Sequence, residues 1–157
     1  MGSGSTDICS TVGVQCPIYP VQGYLVTFSS ERHVTYNFEL NGKAFVAPKG
    51  DGIYRLSGMA DFVHSSESRK ESMTYCTDRV NELLSLAKKE FPDLKVIDTS
   101  TCFRPVSPDD TPLIGKASKY NNMFLCTGHG SKGWTVSQVH FHHTILSFLF
   151  SVERFFD

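Results

Sequence analysis

The feature that most constrains the fold is a strict alternation of apolar and polar side chains over residues 34–40, followed at once by Asn41-Gly42. The apolar positions are Val34, Tyr36, Phe38 and Leu40. A period of two residues is typical of a strand with one buried face. An Asn-Gly pair directly after such a run is the strongest short-range signal for a hairpin. The sequence therefore predicts a strand over Val34–Leu40 that reverses into a second strand, "KAFVAP".

Further strands flank this hairpin. Gly50-Asp51-Gly52 predicts a second turn, which leads into "IYRLSGMADFV" (residues 53–63). Residues 34–63 are therefore predicted to form an antiparallel meander. Upstream, "PIYPVQGYLVTF" (residues 17–28) is rich in strand-forming residues and predicts one more strand.

The apolar period then changes from that of a strand to that of a helix. The segment "HSSES" offers N-cap residues, and Pro92 ends the pattern after Phe91. The apolar residues at helical spacing are Met73, Cys76, Val80, Leu83, Leu84 and Ala87. This stripe predicts one helix over about residues 68–91, with a single buried face.

The remaining third of the chain alternates short strands with a proline-rich loop and ends in a helix. "LKVIDTSTCF" and "NNMFLCT" predict strands, "PLIG" a short extended piece, and residues 133 to about 152 a helix. Strands that precede a helix, with a strand–turn–helix at the end, predict an α+β fold. We expect an antiparallel or mixed β-sheet with one helix packed on it.

We divide the chain into three segments on this basis. Residues 1–16 are a lead-in, in which "MGSGS" resembles a cloning scar, so Met1–Ser5 is excluded from the fold. Residues 17–104 form a sheet unit with the helix at about 68–91. Residues 105–157 contain the proline loop, a strand and the C-terminal helix.

Composition excludes several classes of function. The chain has 157 residues, is 40% hydrophobic and carries a formal net charge of −1. Acidic and basic residues are interspersed, so neither a nucleic-acid surface nor a polybasic membrane patch is indicated. No apolar run approaches the roughly 20 residues that a membrane span needs. We therefore predict neither a nucleic-acid partner nor a membrane span.

The cysteines indicate a reducing environment. The five residues are Cys9, Cys16, Cys76, Cys102 and Cys126. Their number is odd, they form no C-x-x-C pair, and most have apolar neighbours. We interpret them as buried free thiols of an intracellular protein, cytoplasmic or mitochondrial; a nucleophilic cysteine or a metal site is the alternative.

"TGHGSKGWT" (residues 127–135) contains a literal G-x-G-x-x-G between an apolar strand and a helix. A dinucleotide-binding fingerprint must open a βαβ unit, with an acidic residue about 20 positions later at the end of the next strand. Here one helix follows and Glu153 lies in or just after it, so the topology excludes a phosphate cradle. Two interpretations remain: a tight turn that needs glycine, or a helix N-terminus that faces an electron-rich ligand.

Together with the residues before it, this motif resembles a known family. "CFRPVSPDDTPLIG", followed by a connector and "MFLCTGHGSKGWT", resembles the C-terminal part of the D-amino-acid oxidase superfamily of FAD-dependent oxidoreductases, nearest to the D-amino-acid dehydrogenase small subunit. "PIYPVQGY" and "YRLSGMADF" resemble two further strands of that family, and the four blocks have the family's order. The resemblance implies oxidative deamination of a D-amino acid or related amine, with hydride transfer to flavin N5.

The resemblance also implies site residues. Arg104 matches the arginine that clamps the substrate carboxylate, a role that suits a planar, permanently charged fork. Phe45 falls near the position at which relatives carry a substrate-contacting tyrosine, but phenylalanine has no hydroxyl. The residues that match the flavin-contacting turn are Gly130, Ser131, Gly133, Trp134 and Thr135. Lys132 replaces an apolar residue and either points to solvent or adds positive charge near the flavin.

The resemblance covers only part of the family's length. The family binds most of FAD through an N-terminal unit with its own G-x-G-x-x-G, and nothing before Pro17 matches it. We expect a C-terminal fragment that binds FAD weakly or not at all and has no turnover alone. Its partners would be the missing FAD-binding domain, an amino-acid substrate and, through uncovered apolar residues, a second copy. The alternative is a stand-alone, non-catalytic α+β interaction module.

Structural interpretations exist for each candidate residue. Arg104 could instead pair with Asp98 or with Asp109-Asp110, Trp134 could be core, and His129 could be an ordered turn residue. The histidines of the last helix are His140, His142 and His143. Only the first and last of them share a face and no third ligand is evident, so no metal site is predicted. Asp109-Asp110 is explained by turn propensity.

Overall fold

A computed structural model describes residues 2–63 and 77–152 and shows the α+β fold that the sequence predicts. A 3₁₀ turn, Gly2–Gly4, precedes three helices: α1 (Ser5–Thr11), α2 (Thr77–Lys88) and α3 (Gly133–Val152). The strands are β1 (Tyr19–Ser29), β2 (Phe38–Leu40), β3 (Ala44–Gly50), β4 (Ile53–Phe62), β5 (Lys95–Val106), β6 (Leu113–Lys116) and β7 (Phe124–Thr127). No helix in these two ranges is long and apolar enough to cross a bilayer.

The chain forms two compact units. The first combines the residues up to Val21 with those from Arg104 onward, and the second comprises Gln22–Phe103. The sequence-based division separated residues 1–16 from residues 105–157, whereas the structure groups the lead-in with the C-terminal segment. Strand β1 begins in the first unit and continues in the second, and β5 begins in the second unit and ends in the first.

The predicted meander is present in the second unit. Its five strands have the order β2-β3-β4-β1-β5, with β2–β3 and β3–β4 antiparallel. At the first reversal Leu40 is opposite Ala44, and both Asn41 (φ 52°) and Gly42 (φ 69°) have left-handed backbone. Positive φ at both central residues is what the Asn-Gly signal predicts, because these residues tolerate that conformation best.

The first strand of the meander is shorter than predicted. It covers Phe38–Leu40 only, and Tyr36 is 66% exposed although Val34 and Leu40 of the same pattern are buried. The reason is Tyr54, whose hydroxyl accepts the N–H of Val34 at 3.2 Å and donates to the carbonyl of Arg32. The N–H of Val34 is thus bound by a side chain and not by a neighbouring strand, and the prediction of a strand over residues 34–37 is wrong.

Helix α2 covers the core of the second unit. Its buried residues Val80, Leu83 and Ala87 belong to the predicted stripe, and Phe91 beyond the helix is buried as well. The ring of Phe91 lies 5.1 Å from that of Phe28 and 5.0 Å from that of Tyr54. Full burial of each such side chain contributes roughly 1.5–3 kcal/mol. The predicted helical segment 68–76, with Met73 and Cys76, lies outside the described residues.

The first unit has its own small core, and the start of the chain contributes to it. Cys9 in α1 packs with Cys16 and Ile18. Ser5 is fully buried, and its hydroxyl lies 2.6 Å from that of Thr127 in β7. The expectation that Met1–Ser5 lies outside the fold is therefore wrong for Ser5, because its small side chain fits a buried hydrogen bond that sequence composition does not reveal.

The interpretation of the cysteines as buried thiols holds for only part of the set. Cys9 and Cys16 are buried, and burial together with a hydrogen bond to Cys9 raises the pKa of the Cys16 thiol to about 11. Cys102 and Cys126 are exposed, because they lie at outward positions of β5 and β7. Cys76 lies outside the described residues.

Candidate functional site

The glycine motif forms a sharp turn between β7 and α3 in the first unit. Strand β7 ends at Thr127, and Gly128 (φ 82°) and Gly130 (φ 54°) both have left-handed backbone. A Cβ atom on Gly128 would come within 2.9 Å of the Ile18 side chain. Glycine is therefore required at Gly128 for both backbone conformation and space.

The turn is bound to the segment that contains the proline loop by hydrogen bonds and an ion pair. The N–H of Gly130 donates to the carbonyl of Pro105 at 2.7 Å, and Val106 forms a β-bridge with His129. Lys132 pairs with Asp110 at 2.8 Å between Nζ and Oδ2, at the protein surface. Lys132 is therefore a solvent-exposed cation that is paired with a carboxylate.

The start of α3 offers donors beside the turn. The N–H of Val136 donates to the carbonyl of Lys132 at 3.1 Å, which is the first hydrogen bond of the helical pattern. The N–H groups of Gly133, Trp134 and Thr135 precede it, and first-turn N–H groups have no acceptor within a helix. They carry the positive end of the helix dipole and favour an electron-rich partner.

These elements surround a pocket of about 740 Å³. Four of the five residues predicted to contact a cofactor line it: Gly130, Ser131, Gly133 and Trp134. Thr135 follows in the same helical turn but is not among the lining residues. The Trp134 side chain is 93% exposed, so its alternative interpretation as core is wrong.

Local sequence analysis missed other residues of the pocket wall, namely Cys126, His129, His140 and Phe141. The rings of His129 and His140 lie 5.1 Å apart, and Nδ1 of His140 is buried without a hydrogen-bond partner. Burial, and then the charge of His140, lower the pKa of His129, so its imidazole stays neutral to lower pH. His129 was interpreted as a turn residue, and His140 as part of a solvated helix face.

The two predicted substrate residues belong to different units. Arg104 is half-buried near the end of β5 in the first unit and directly precedes Pro105, which lines the pocket. Phe45 lies in β3 of the second unit, opposite Ser57, and is 57% exposed between the buried Ala44 and Val46. It therefore points away from the core of its unit.

The other polar candidates have local roles. Asp109 accepts the N–H of Thr111 at 3.1 Å, and this bond lowers the pKa of Asp109. Asp110 has left-handed backbone (φ 56°), as turn propensity suggests. Within residues 2–63 and 77–152, no three His, Cys, Asp or Glu side chains are grouped so that they could hold a metal ion.

Known proteins are similar to this chain in sequence. Residues 1–139 match the family described as "FAD dependent oxidoreductase". A relative named D-amino acid dehydrogenase from Rhizorhabdus wittichii is 32% identical over 148 residues, which cover 87% of this chain and 33% of the relative. The chain therefore spans about a third of the length of the curated relatives it matches.

Solved structures share the fold. Glycine oxidase from Geobacillus kaustophilus superimposes with a TM-score of 0.77 at 20% identity, over 98% of this chain and 40% of that one. Iminodiacetate oxidase from Chelativorans sp. BNC1 gives 0.80 at 17% identity, over 94% and 40%. The fold is therefore shared, and the sequence match over residues 1–139 shows that the chain belongs to the FAD-dependent oxidoreductase family.

Proposed function

We propose that this chain supplies the substrate-binding part, and the part that contacts the flavin ring, of an FAD-dependent enzyme that oxidatively deaminates D-amino acids or related amines. The observation that carries the proposal is the glycine turn that opens into the N-terminus of α3 beside a pocket of about 740 Å³. The relatives named D-amino acid dehydrogenase support the choice of substrate class.

The residues of the pocket fit the ring end of a flavin. Its volume lies within the range of about 300–1,000 Å³ that small-molecule sites occupy. Gly130 and Gly133 leave the wall without side chains, and a Cβ atom on either would come within 3.2 Å of a neighbouring side chain. Trp134 and Phe141 provide apolar surface, and the buried Nδ1 of His140 lacks a partner that a polar ring edge could supply.

Each residue has a defined task in this proposal. Bound FAD would supply the hydride acceptor. The N–H groups of Gly133, Trp134 and Thr135, with the helix dipole, would stabilise negative charge at the ring edge. Gly130 contributes only the absence of a side chain, because its N–H is already donated to Pro105. Arg104 would hold the substrate carboxylate and thereby orient the reacting C–H bond.

The pyrophosphate and adenosine of FAD would contact residues outside this chain. The relatives are about three times as long, and the predicted topology around the glycine turn argues against a phosphate cradle there. We therefore expect the chain alone to bind FAD weakly or not at all and to show no turnover.

A reconstitution experiment tests the proposal. The chain is mixed with FAD and the FAD-binding domain of a D-amino acid dehydrogenase relative, and flavin absorbance and D-amino-acid-dependent dye reduction are measured. We expect both signals in the mixture and neither from the chain alone. Stoichiometric flavin in the isolated chain would refute the expectation of weak binding, and a mixture without either signal would refute the function.

Two glycine variants test whether flavin binding in this experiment depends on the pocket. Gly130→Val should abolish flavin binding, because the added Cβ would come within 3.2 Å of Oδ1 of Asp110 and displace the turn. Gly50→Val is the matched control, since Gly50 also has positive φ (94°) but no atom within 4 Å of the added Cβ. Equal loss in both variants would show that backbone strain, not the pocket, is responsible.

A stand-alone interaction module is the second candidate. One observation favours it: α3 exposes large apolar side chains, namely Trp134, Val139, Phe141, Ile145 and Leu146. Large exposed apolar patches are typical of interaction sites. In this proposal a flavin-binding chain or a second copy covers the helix. Dye reduction in the reconstituted mixture would exclude a purely non-catalytic role.

A further inference from the structure

Two side chains of the pocket wall, the thiol of Cys126 and the imidazole of His129, lie next to each other. Cys126, near the end of β7, is exposed, and its Sγ lies 3.9 Å from Nε2 of His129. The turn that carries His129 is held by the Val106 β-bridge and by the hydrogen bond between Gly130 and Pro105. The contact between Cys126 and His129 is therefore a feature of an ordered turn and not of a loose loop.

Among the cysteines that the structure describes, Cys126 has a distinct environment. Cys9 and Cys16 are buried, and the raised pKa of Cys16 keeps it protonated at neutral pH. Cys102 is exposed like Cys126 but does not line the pocket. Cys126 alone among these four combines exposure with a neighbouring base.

The imidazole has the protonation state that a proton acceptor needs. Burial and His140 lower the pKa of His129, so the neutral ring predominates at neutral pH and can accept a proton at Nε2. The thiolate, not the thiol, is the nucleophile. A base within hydrogen-bonding reach of a thiol is the arrangement that activates cysteine for attack.

We propose that Cys126 is a reactive modification site that takes neutral aromatic disulfides, with His129 as the proton acceptor and the apolar pocket as the binding surface. His129 Nε2 takes the thiol proton, and Sγ of Cys126 attacks one sulfur of the disulfide. A mixed disulfide forms and the reagent's S–S bond breaks. The second sulfur leaves as a thiolate with the electron pair and is reprotonated. The Cys126 sulfur is oxidised, and the departing sulfur is reduced.

The side chains of the pocket determine the class of reagent. Trp134 and Phe141 line it, and most of its surface is apolar. An aromatic reagent can pack against these rings before it reacts, whereas a small hydroxylated one gains little from them. An adduct on Cys126 would occupy the volume that the proposed function assigns to the flavin ring, but the reactivity itself does not depend on that function.

The test measures modification rates in the chain without flavin, in a Cys76→Ser background. The protein is treated with 2,2′-dithiodipyridine, and the adducts on Cys126 and Cys102 are quantified by peptide mass spectrometry. Cys102 is the internal control. We expect Cys126 to react about 100-fold faster, the lower end of the range of general-base effects. Equal rates at the two residues would overturn the proposal.

Two further comparisons identify the cause of the reactivity. His129→Asn should slow Cys126 about 100-fold and leave Cys102 unchanged. With 2-hydroxyethyl disulfide, the preference for Cys126 over Cys102 should shrink, because this reagent lacks the aromatic ring. An unchanged Cys126 rate in His129→Asn would show that the imidazole is not the proton acceptor. An unchanged ratio of the Cys126 and Cys102 rates with 2-hydroxyethyl disulfide would show that the pocket does not bind the reagent.

Discussion

Arg104 is the residue to which we assign the substrate carboxylate. It is half-buried at the end of β5, next to a residue of the pocket wall. In the reconstituted enzyme we expect Arg104→Ala to raise KM and to lower kcat/KM about 100-fold, because charged hydrogen bonds contribute about 1.5–3 kcal/mol. Steady-state kinetics with a D-amino acid measure this.

A second arginine provides the control for that measurement. Arg55 lies on β4 of the second unit and is exposed. Arg55→Ala should leave both kinetic constants unchanged. Wild-type kinetics in Arg104→Ala would remove Arg104 from the substrate site.

Single residues also show which features of the site can be predicted from sequence and which cannot. The glycines of the turn could be identified because each left-handed position limits the residue type locally. His140 could not, because it lies 11 residues beyond His129 and only the path of α3 brings the two rings to 5.1 Å. Cys126 was similarly misjudged, since exposure of a strand residue depends on what packs against each face.

At the scale of elements, periodicity predicted a helix or strand correctly where the side-chain pattern and the backbone hydrogen bonding agree. The stripe of α2 and the hairpin at Asn41-Gly42 are both observed. The strand over residues 34–37 is not, because the Tyr54 hydroxyl binds the backbone at Val34. A hydrogen bond between residues 20 positions apart leaves no trace in the local pattern.

One connection between elements predicts a pH dependence. Asp93, between α2 and β5, accepts the N–H of Glu31 at 2.5 Å and the hydroxyl of Ser30 at 2.6 Å, just after β1. These bonds lower the pKa of Asp93 in the folded protein. A lowered pKa stabilises the fold above the unfolded-state value of about 3.9, and this contribution disappears as the pH falls through the folded value.

We therefore expect Asp93→Asn to unfold at lower urea concentration than the wild type at pH 7. The difference should begin to shrink as the pH falls below about 4, where the carboxylate of the unfolded chain is protonated, and should disappear as the pH falls through the lowered pKa of Asp93 in the folded protein. Urea titrations at pH 7, 5 and 3 would measure it. A difference of the same size at pH 3 would show that the charge of Asp93 contributes nothing.

At the scale of the whole molecule, the long helix at the end of the chain exposes apolar surface. Residues 133–152 contain no charged side chain, and Val139 is 71% exposed. With a formal net charge of only −1, two copies repel each other weakly. We expect the isolated chain to self-associate through α3, with a sedimentation coefficient that rises with concentration.

A pair of variants locates this contact. Val139→Lys places a charge on the exposed face of α3 and should reduce self-association. Tyr36→Lys changes an equally exposed side chain of the second unit, which is 66% accessible, and should have no effect. A wild-type chain that remains monomeric across the concentration series would contradict the expectation.

The sequence by itself determined the α+β class, the meander, the stripe of α2 and the glycine turn, because each depends on periodicity or on a backbone conformation that few residues tolerate. Only the tertiary structure decided that Ser5 is buried, that Cys126 is exposed, and that His129 and His140 line one pocket with the start of α3. Burial and side-chain proximity depend on contacts between distant segments, and no local pattern in the chain encodes them.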